Sequence, residues 1–196
     1  MNSQLTQQIT FLLEIDKLKN VIRRNYLADG SRRENTAEHS WHLVLFAMTL
    51  FEYRKDPSLN LERIIKMCAL HDLVEVYAGD TFFWDEKGNA DKYERESAAA
   101  KKLFGILPLK QGEHFRLLWE EFEGALTPDA LFANAVDRLA PVLLNSANGA
   151  SSWRENGIKA SQLREKMTVI GQAAPLLGEL LEELIQKGLE NGDLTG

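Results

Sequence analysis

His71 and Asp72 stand side by side, with His39 32 residues before the pair and Asp137 65 residues after it. Two imidazoles and two carboxylates form a donor set that suits one divalent cation of the Mn²⁺, Fe²⁺, Co²⁺, Ni²⁺ or Zn²⁺ kind. Four protein ligands leave coordination positions for a water and a substrate oxygen, and the chemistry such a centre performs is hydrolysis. Glu75 falls four residues after His71 and three after Asp72, on the same helical face, where a carboxylate can orient the attacking water and take its proton. Asp137 is set among Ala133, Ala135, Val136, Leu139 and Ala140, and a carboxylate in so apolar a segment needs a cation or an arginine beside it.

Other reactive side chains carry less. His42 lies one turn after His39 and reads as a packing or supporting histidine, whereas His114 sits in a charged amphipathic stretch and reads as solvated surface. The lone cysteine, Cys68, falls inside an apolar helical run and reads as a buried, inert thiol. Arg23, Arg24, Arg32 and Arg33 cluster just before His39 in an otherwise acidic chain. Guanidinium groups bind phosphate in bidentate fashion, so one or two of these are candidates to hold a substrate phosphate; the alternative is a solvated basic loop. Trp41 and Trp84 are candidates for stacking on a base, although tryptophans on helix faces more often fill a core.

Helices must bring these residues together. Apolar positions three and four apart predict a helix over Leu5–Arg23, then a turn over Arg24–Arg33 around Asp29-Gly30-Ser31. Asn35-Thr36 offers a cap for a second helix running to about Tyr53, and a third is expected from Leu61 to Tyr77, stopped by Gly79. Asp80–Asp91 lacks helical periodicity and reads as a loop able to cover the site. Helical patterns resume over Lys92–Leu103, Gln111–Glu123, Pro128–Ser146, Lys159–Ile170 and Ala174–Leu189. No strand alternation competes with them, so the expected class is all-α, a bundle of irregularly packed helices.

The 196 residues are enough for one sizeable core, and one domain is expected over 1–196, with a metal-binding core at about 18–146 and C-terminal helices at about 159–189 packed on it. A formal charge of -6 argues against nucleic-acid or membrane partners, which ask for a concentrated positive field. There is neither a signal-peptide pattern nor an apolar run of about 18 residues, and a cytoplasmic protein is expected.

Three stretches together carry a family resemblance: Arg33-Glu34-Asn35-Thr36-Ala37-Glu38-His39-Ser40-Trp41, then Leu70-His71-Asp72-Leu73-Val74-Glu75-Val76-Tyr77-Ala78-Gly79-Asp80, then Ala135-Val136-Asp137-Arg138. In order and spacing they resemble the HD-domain metal-dependent phosphohydrolases, nearest the branch of the bacterial 5'-deoxynucleotidases, over roughly Leu18 to Asn145. The resemblance implies an HD-domain helical bundle, metal ligation by His39, His71, Asp72 and Asp137, and release of phosphate from nucleoside 5'-monophosphates. It also implies catalytic carboxylates at Glu75 and at Asp80, which alone reads only as a helix stop and turn. Among the arginines it favours Arg24 for the substrate, and Arg33 is carried as a second candidate. Asn25 departs from the branch, which has a tryptophan there, and leaves base and sugar preference open. Only His114 lies between Asp72 and Asp137, fewer histidines than two-metal relatives use, so one divalent ion is expected. A homodimer is implied by the family. The alternatives are a nucleotide pyrophosphate or alarmone hydrolase, and a non-catalytic metal-stabilised nucleotide sensor.

Overall fold

Caps and breaks in the sequence set where each helix begins and ends. The computed structural model describes residues 2–196. In chain order it contains α1 (Ser3–Ile15), a hairpin of β1 (Ile22–Tyr26) and β2 (Arg33–Asn35), α2 (Thr36–Leu50), α3 (Leu61–Leu70) and the short α4 (Glu75–Ala78). There follow α5 (Glu86–Asn89), α6 (Lys92–Phe104), α7 (Leu109–Gly124), α8 (Pro128–Ala147), α9 (Ser151–Asn156), α10 (Ala160–Lys166), α11 (Thr168–Ala173) and α12 (Pro175–Glu190). The class is all-α with one small antiparallel hairpin, and among the described residues no helix is long and apolar enough to cross a membrane.

The helices that matter most are capped by their own side chains. Asn35 accepts the N–H of Glu38 at 3.0 Å while the Glu38 carboxylate accepts the N–H of Asn35 at 3.2 Å, a reciprocal cap that starts α2 three residues before His39. Asn60 caps α3 through the N–H of Arg63 at 3.1 Å. Thr127 caps α8 through the N–H of Ala130 at 3.2 Å, with Pro128 in the first turn, where its missing N–H costs nothing.

The central element is α8, whose Phe132, Ala133, Ala135, Val136 and Leu139 are fully buried. Its alanines let neighbours approach closely, and it packs against α2, α3, α7, α11 and α12. Since α2 and α3 also pack on each other, His39 on α2, Asp137 on α8 and the His71-Asp72 pair, in the turn that follows the end of α3, come from three mutually contacting parts of the chain. Pro141 follows Asp137 by one turn inside α8; it has no N–H to give the Asp137 carbonyl, so the helical ladder is interrupted beside that aspartate.

Several expectations need correction. Helix α1 stops at Ile15 and tightens into a 3₁₀ turn over Asp16–Asn20. The stretch expected as a bare turn is a hairpin, with Ile22 facing Asn35 and Tyr26 facing Arg33; its charged residues hid the alternation. The expected third helix breaks at the dyad, becoming a 3₁₀ turn at His71–Val74 before α4. Gly79 ends α4 with φ of 75°, a conformation that disfavours a β-carbon. The helix expected over Lys159–Ile170 is two, broken at Met167, and α9 was not foreseen.

Candidate metal centre and cleft

The reciprocal cap of α2 and the hairpin before it carry Glu34 and His39 into the interior, where both are about 2% exposed. His39 Nε2 lies 2.9 Å from Asp137 Oδ1 and 3.8 Å from Asp72 Oδ2, and its other ring nitrogen is 3.6 Å from Glu34 Oε2. His71 Nε2 is 3.2 Å from Asp72 Oδ1 and 3.8 Å from Asp137 Oδ1. His39, His71 and Asp72 each offer a ligand atom within 4.8 Å of the others, and Asp137 closes the group from α8. Burial and Arg23 push the His39 imidazole down, but Asp137 and Glu34 outweigh them and raise it to about 9.

His71 supplies the test of whether a metal fits. Its Nδ1 donates to the carbonyl of Cys68 at 2.9 Å, which leaves the lone pair on Nε2, and that buried Nε2 has no hydrogen-bond partner. An orphaned imidazole nitrogen facing two carboxylates and a second imidazole is what a metal ligand requires, and the backbone carbonyl fixes its tautomer. The two-nitrogen, two-oxygen set fits a first-row divalent ion.

Around this cluster lies a cleft of about 310 Å³, large enough for a small ligand. Asp72, Glu75, Asp80 and Asp137 line it together with Arg23, Arg24 and Arg138. Glu75, held on α4 and 4% exposed, accepts a hydrogen bond from Thr36 Oγ1 at 2.9 Å. Burial, joined by the charge of Asp72, pushes its carboxyl well above the ordinary range. Burial also raises Asp80, against the opposing pull of Arg23 3.7 Å away.

The arginines separate by strand geometry. Arg23 turns inward: its Nη1 donates to Asp72 Oδ2 at 2.9 Å, and its Nε lies 3.6 Å from Glu34 Oε2. Arg24 lines the cleft beside the ring of Phe82. Arg33 does not reach the cleft. Its pairing position opposite Tyr26 directs it to Glu155 of α9, at 3.1 Å, with its guanidinium 5.4 Å from the Tyr26 ring centre.

Thr81–Trp84 form one wall, where Arg138 lies 3.9 Å over the Phe83 ring and Phe83 meets Trp84 edge to face. Trp41 is 65% exposed on α2 and does not line the cleft. His42 packs between Trp41 and Phe46, and His114 is exposed. Ser152, Trp153, Leu163 and Met167, which line the cleft together with Asn25, were not foreseen there. Neither were Lys92 and Glu123, whose only sequence signal is a lysine starting a helix and a glutamate ending one.

A model of the HD domain matches residues 15–177. A solved structure described as a predicted metal-dependent phosphohydrolase from Magnetospirillum magnetotacticum MS-1 is 41% identical, covers 99% of this chain and 97% of its own, and superposes with a TM-score of 0.94. A protein of Yersinia pestis (strain Pestoides F) named 5'-deoxynucleotidase is 31% identical over 170 residues, 83% of this chain and 85% of its own. The human protein named 5'-deoxynucleotidase HDDC2 is 28% identical over 69% of this chain, and the match spans 65% of the human protein's length. With the histidines and aspartates of its three motifs gathered on one cluster and the domain model matching most of its length, this chain belongs to the HD-domain family.

Proposed function

We propose that this HD-domain protein is a metal-dependent phosphomonoesterase that releases phosphate from nucleoside 5'-monophosphates, in the manner of a 5'-deoxynucleotidase. The observation that carries this reading is the buried, unpartnered Nε2 of His71, grouped with His39, Asp72 and Asp137 at a cleft that also holds Glu75, Asp80 and three arginines. The names of the human and Yersinia relatives, both 5'-deoxynucleotidases, support the substrate class.

His39, His71, Asp72 and Asp137 would hold one divalent ion, which would supply Lewis acidity toward the phosphate and lower the pKa of water. The rest of the work belongs to side chains. Arg24 contacts the phosphate, Arg23 neutralises the Asp72 and Asp80 carboxylates beside it, and Arg33, tied to Glu155 outside the cleft, takes no part in holding the substrate. Water attacks phosphorus, the ester P–O bond breaks, and the departing nucleoside oxygen gains a proton. Glu75 and Asp80 divide the two proton transfers, one accepting from water and the other donating to the leaving group. Thr36 holds Glu75 in place for this. The whole chain acts as one HD unit in the cytoplasm, and the exposed Trp41, Leu45 and Met48 along α2 support pairing of two copies.

A phosphate-release panel of nucleoside monophosphates, triphosphates and alarmones, run with Mn²⁺, Co²⁺, Mg²⁺ and Zn²⁺, tests the proposal. Monophosphates are expected to yield phosphate, with Asp72→Ala losing at least about 10³-fold in rate. Turnover confined to triphosphates or alarmones replaces it with pyrophosphate hydrolysis. Nucleotide binding without any phosphate release, unaltered by Glu75→Ala, replaces it with a sensor.

A further inference from the structure

Lys92, the first residue of α6, takes no part in the chemistry described so far. Its ammonium lies 2.9 Å from Glu96 Oε2, one turn along the same helix, and 3.6 Å from Glu123 Oε2 on α7. Glu96 is 2% exposed. A lysine gripped by carboxylates of two helices has lost the freedom that normally carries its charge into solvent. An ammonium has three donors, and two carboxylates leave one free.

Lys92 and Glu123 line the same cleft as Asp72, Asp80 and Arg24. The charges of Glu123, Glu96 and Asp72 raise Lys92 to about 12 against its burial, and its own charge in turn favours the ionised form of Asp80. Burial pushes Glu96 up to about 7, so near neutrality the group repels an anion less than two glutamates would.

We propose that Lys92 is a phosphate-binding residue, donating from its ammonium to a non-bridging oxygen of the substrate phosphate while Glu96 and Glu123 hold it in position. This rests on the phosphomonoesterase reading for its substrate, though not for its ligand, which is the phosphate group itself. If the trio merely ties α6 to α7, Lys92 matters to stability alone.

The test is calorimetric titration of inorganic phosphate into the metal-loaded protein, wild type against Lys92→Met and Lys92→Arg, with melting temperature and metal affinity measured on each. Loss of one charge-assisted hydrogen bond predicts a dissociation constant for phosphate raised about 10- to 100-fold in Lys92→Met, and KM for a monophosphate raised in step. Lys92→Arg keeps the charge and is expected within a few-fold of wild type; metal affinity stays unchanged in both. Lys92→Gln takes the place of Lys92→Met should the latter not fold. Phosphate binding that is undetectable in wild type, or equal in wild type and Lys92→Met, overturns the proposal. Because phosphate binding is read without turnover, a protein that hydrolyses no monophosphate yet loses phosphate on Lys92→Met refutes the esterase reading and leaves Lys92 in place.

Discussion

Glu96 sits where water hardly reaches, and burial raises its carboxyl from the ordinary 4.5 to about 7. Between those values the folded chain holds a proton that the unfolded chain has released, so stability falls as pH rises from about 4.5 to 7 and levels off above. A shift of this size bounds the effect at about 3 kcal/mol. Lys92, raised to about 12, contributes its stabilisation throughout that window and loses it only in strong alkali. Melting curves across pH 4.5–8 are expected to drop over this range, and Glu96→Gln to flatten the drop and melt above wild type at pH 8. Parallel curves for the two would show that Glu96 does not titrate there. Residues of this kind were the hardest to read from sequence. The adjacent His71-Asp72 pair and the polar Asp137 in an alanine-rich helix announce themselves by type and spacing, whereas Lys92 and Glu96 are an ordinary helical pair until α7 closes over them. Arg23 and Arg33 are likewise alike in sequence; the strand pairing sends one to Asp72 and the other to Glu155.

Among the elements, the segment after the dyad is held more firmly than its lack of periodicity suggests. Arg95 of α6 donates to the carbonyls of Ala78 and Gly88 at 3.3 and 2.8 Å and to Thr81 Oγ1 at 3.2 Å, and it pairs with Asp91. Asn89 adds bonds from its amide to the carbonyls of Phe82 and Asp85. These bonds shape the wall that carries Asp80 and Trp84, while His39, Asp137 and the His71-Asp72 turn of the candidate metal cluster lie outside residues 80–91. Arg95→Met is therefore expected to speed amide exchange in residues 80–91 and to lower kcat about 10-fold, roughly 1.4 kcal/mol of barrier, with metal affinity within a few-fold of wild type. A parallel loss of metal binding would show that the wall and the cluster are one unit. Helices α2, α7, α8 and α12 were readable from caps and apolar spacing. The break at His71 was not, because Leu70, Leu73 and Val74 stay buried whether the backbone is α or 3₁₀. The hairpin escaped because its alternation is written in arginine and asparagine rather than in apolar residues.

At the scale of the whole molecule, the cluster joins α2, α8 and the turn at the end of α3, the three helices being those around which the core is built. That all-helical core was readable from periodicity; that its three central helices meet at the reactive residues was not, since distance along the chain says nothing of which helices touch. His39 and Asp137 are 98 residues apart in the chain. An ion bound between them stabilises the folded state in proportion to the logarithm of its concentration, about 2.7 kcal/mol at a hundred times its dissociation constant. Chelation is expected to lower the melting temperature, by several degrees for a chain of this length, and restored Mn²⁺ or Co²⁺ to recover it in a dose-dependent way. Asp72→Ala removes the dose dependence; an equal response in that variant would place the stabilising ion elsewhere. A cell short of the ion would then hold a looser population of this protein, opened more often and cut sooner by proteases, so that metal supply sets its lifetime as well as its rate.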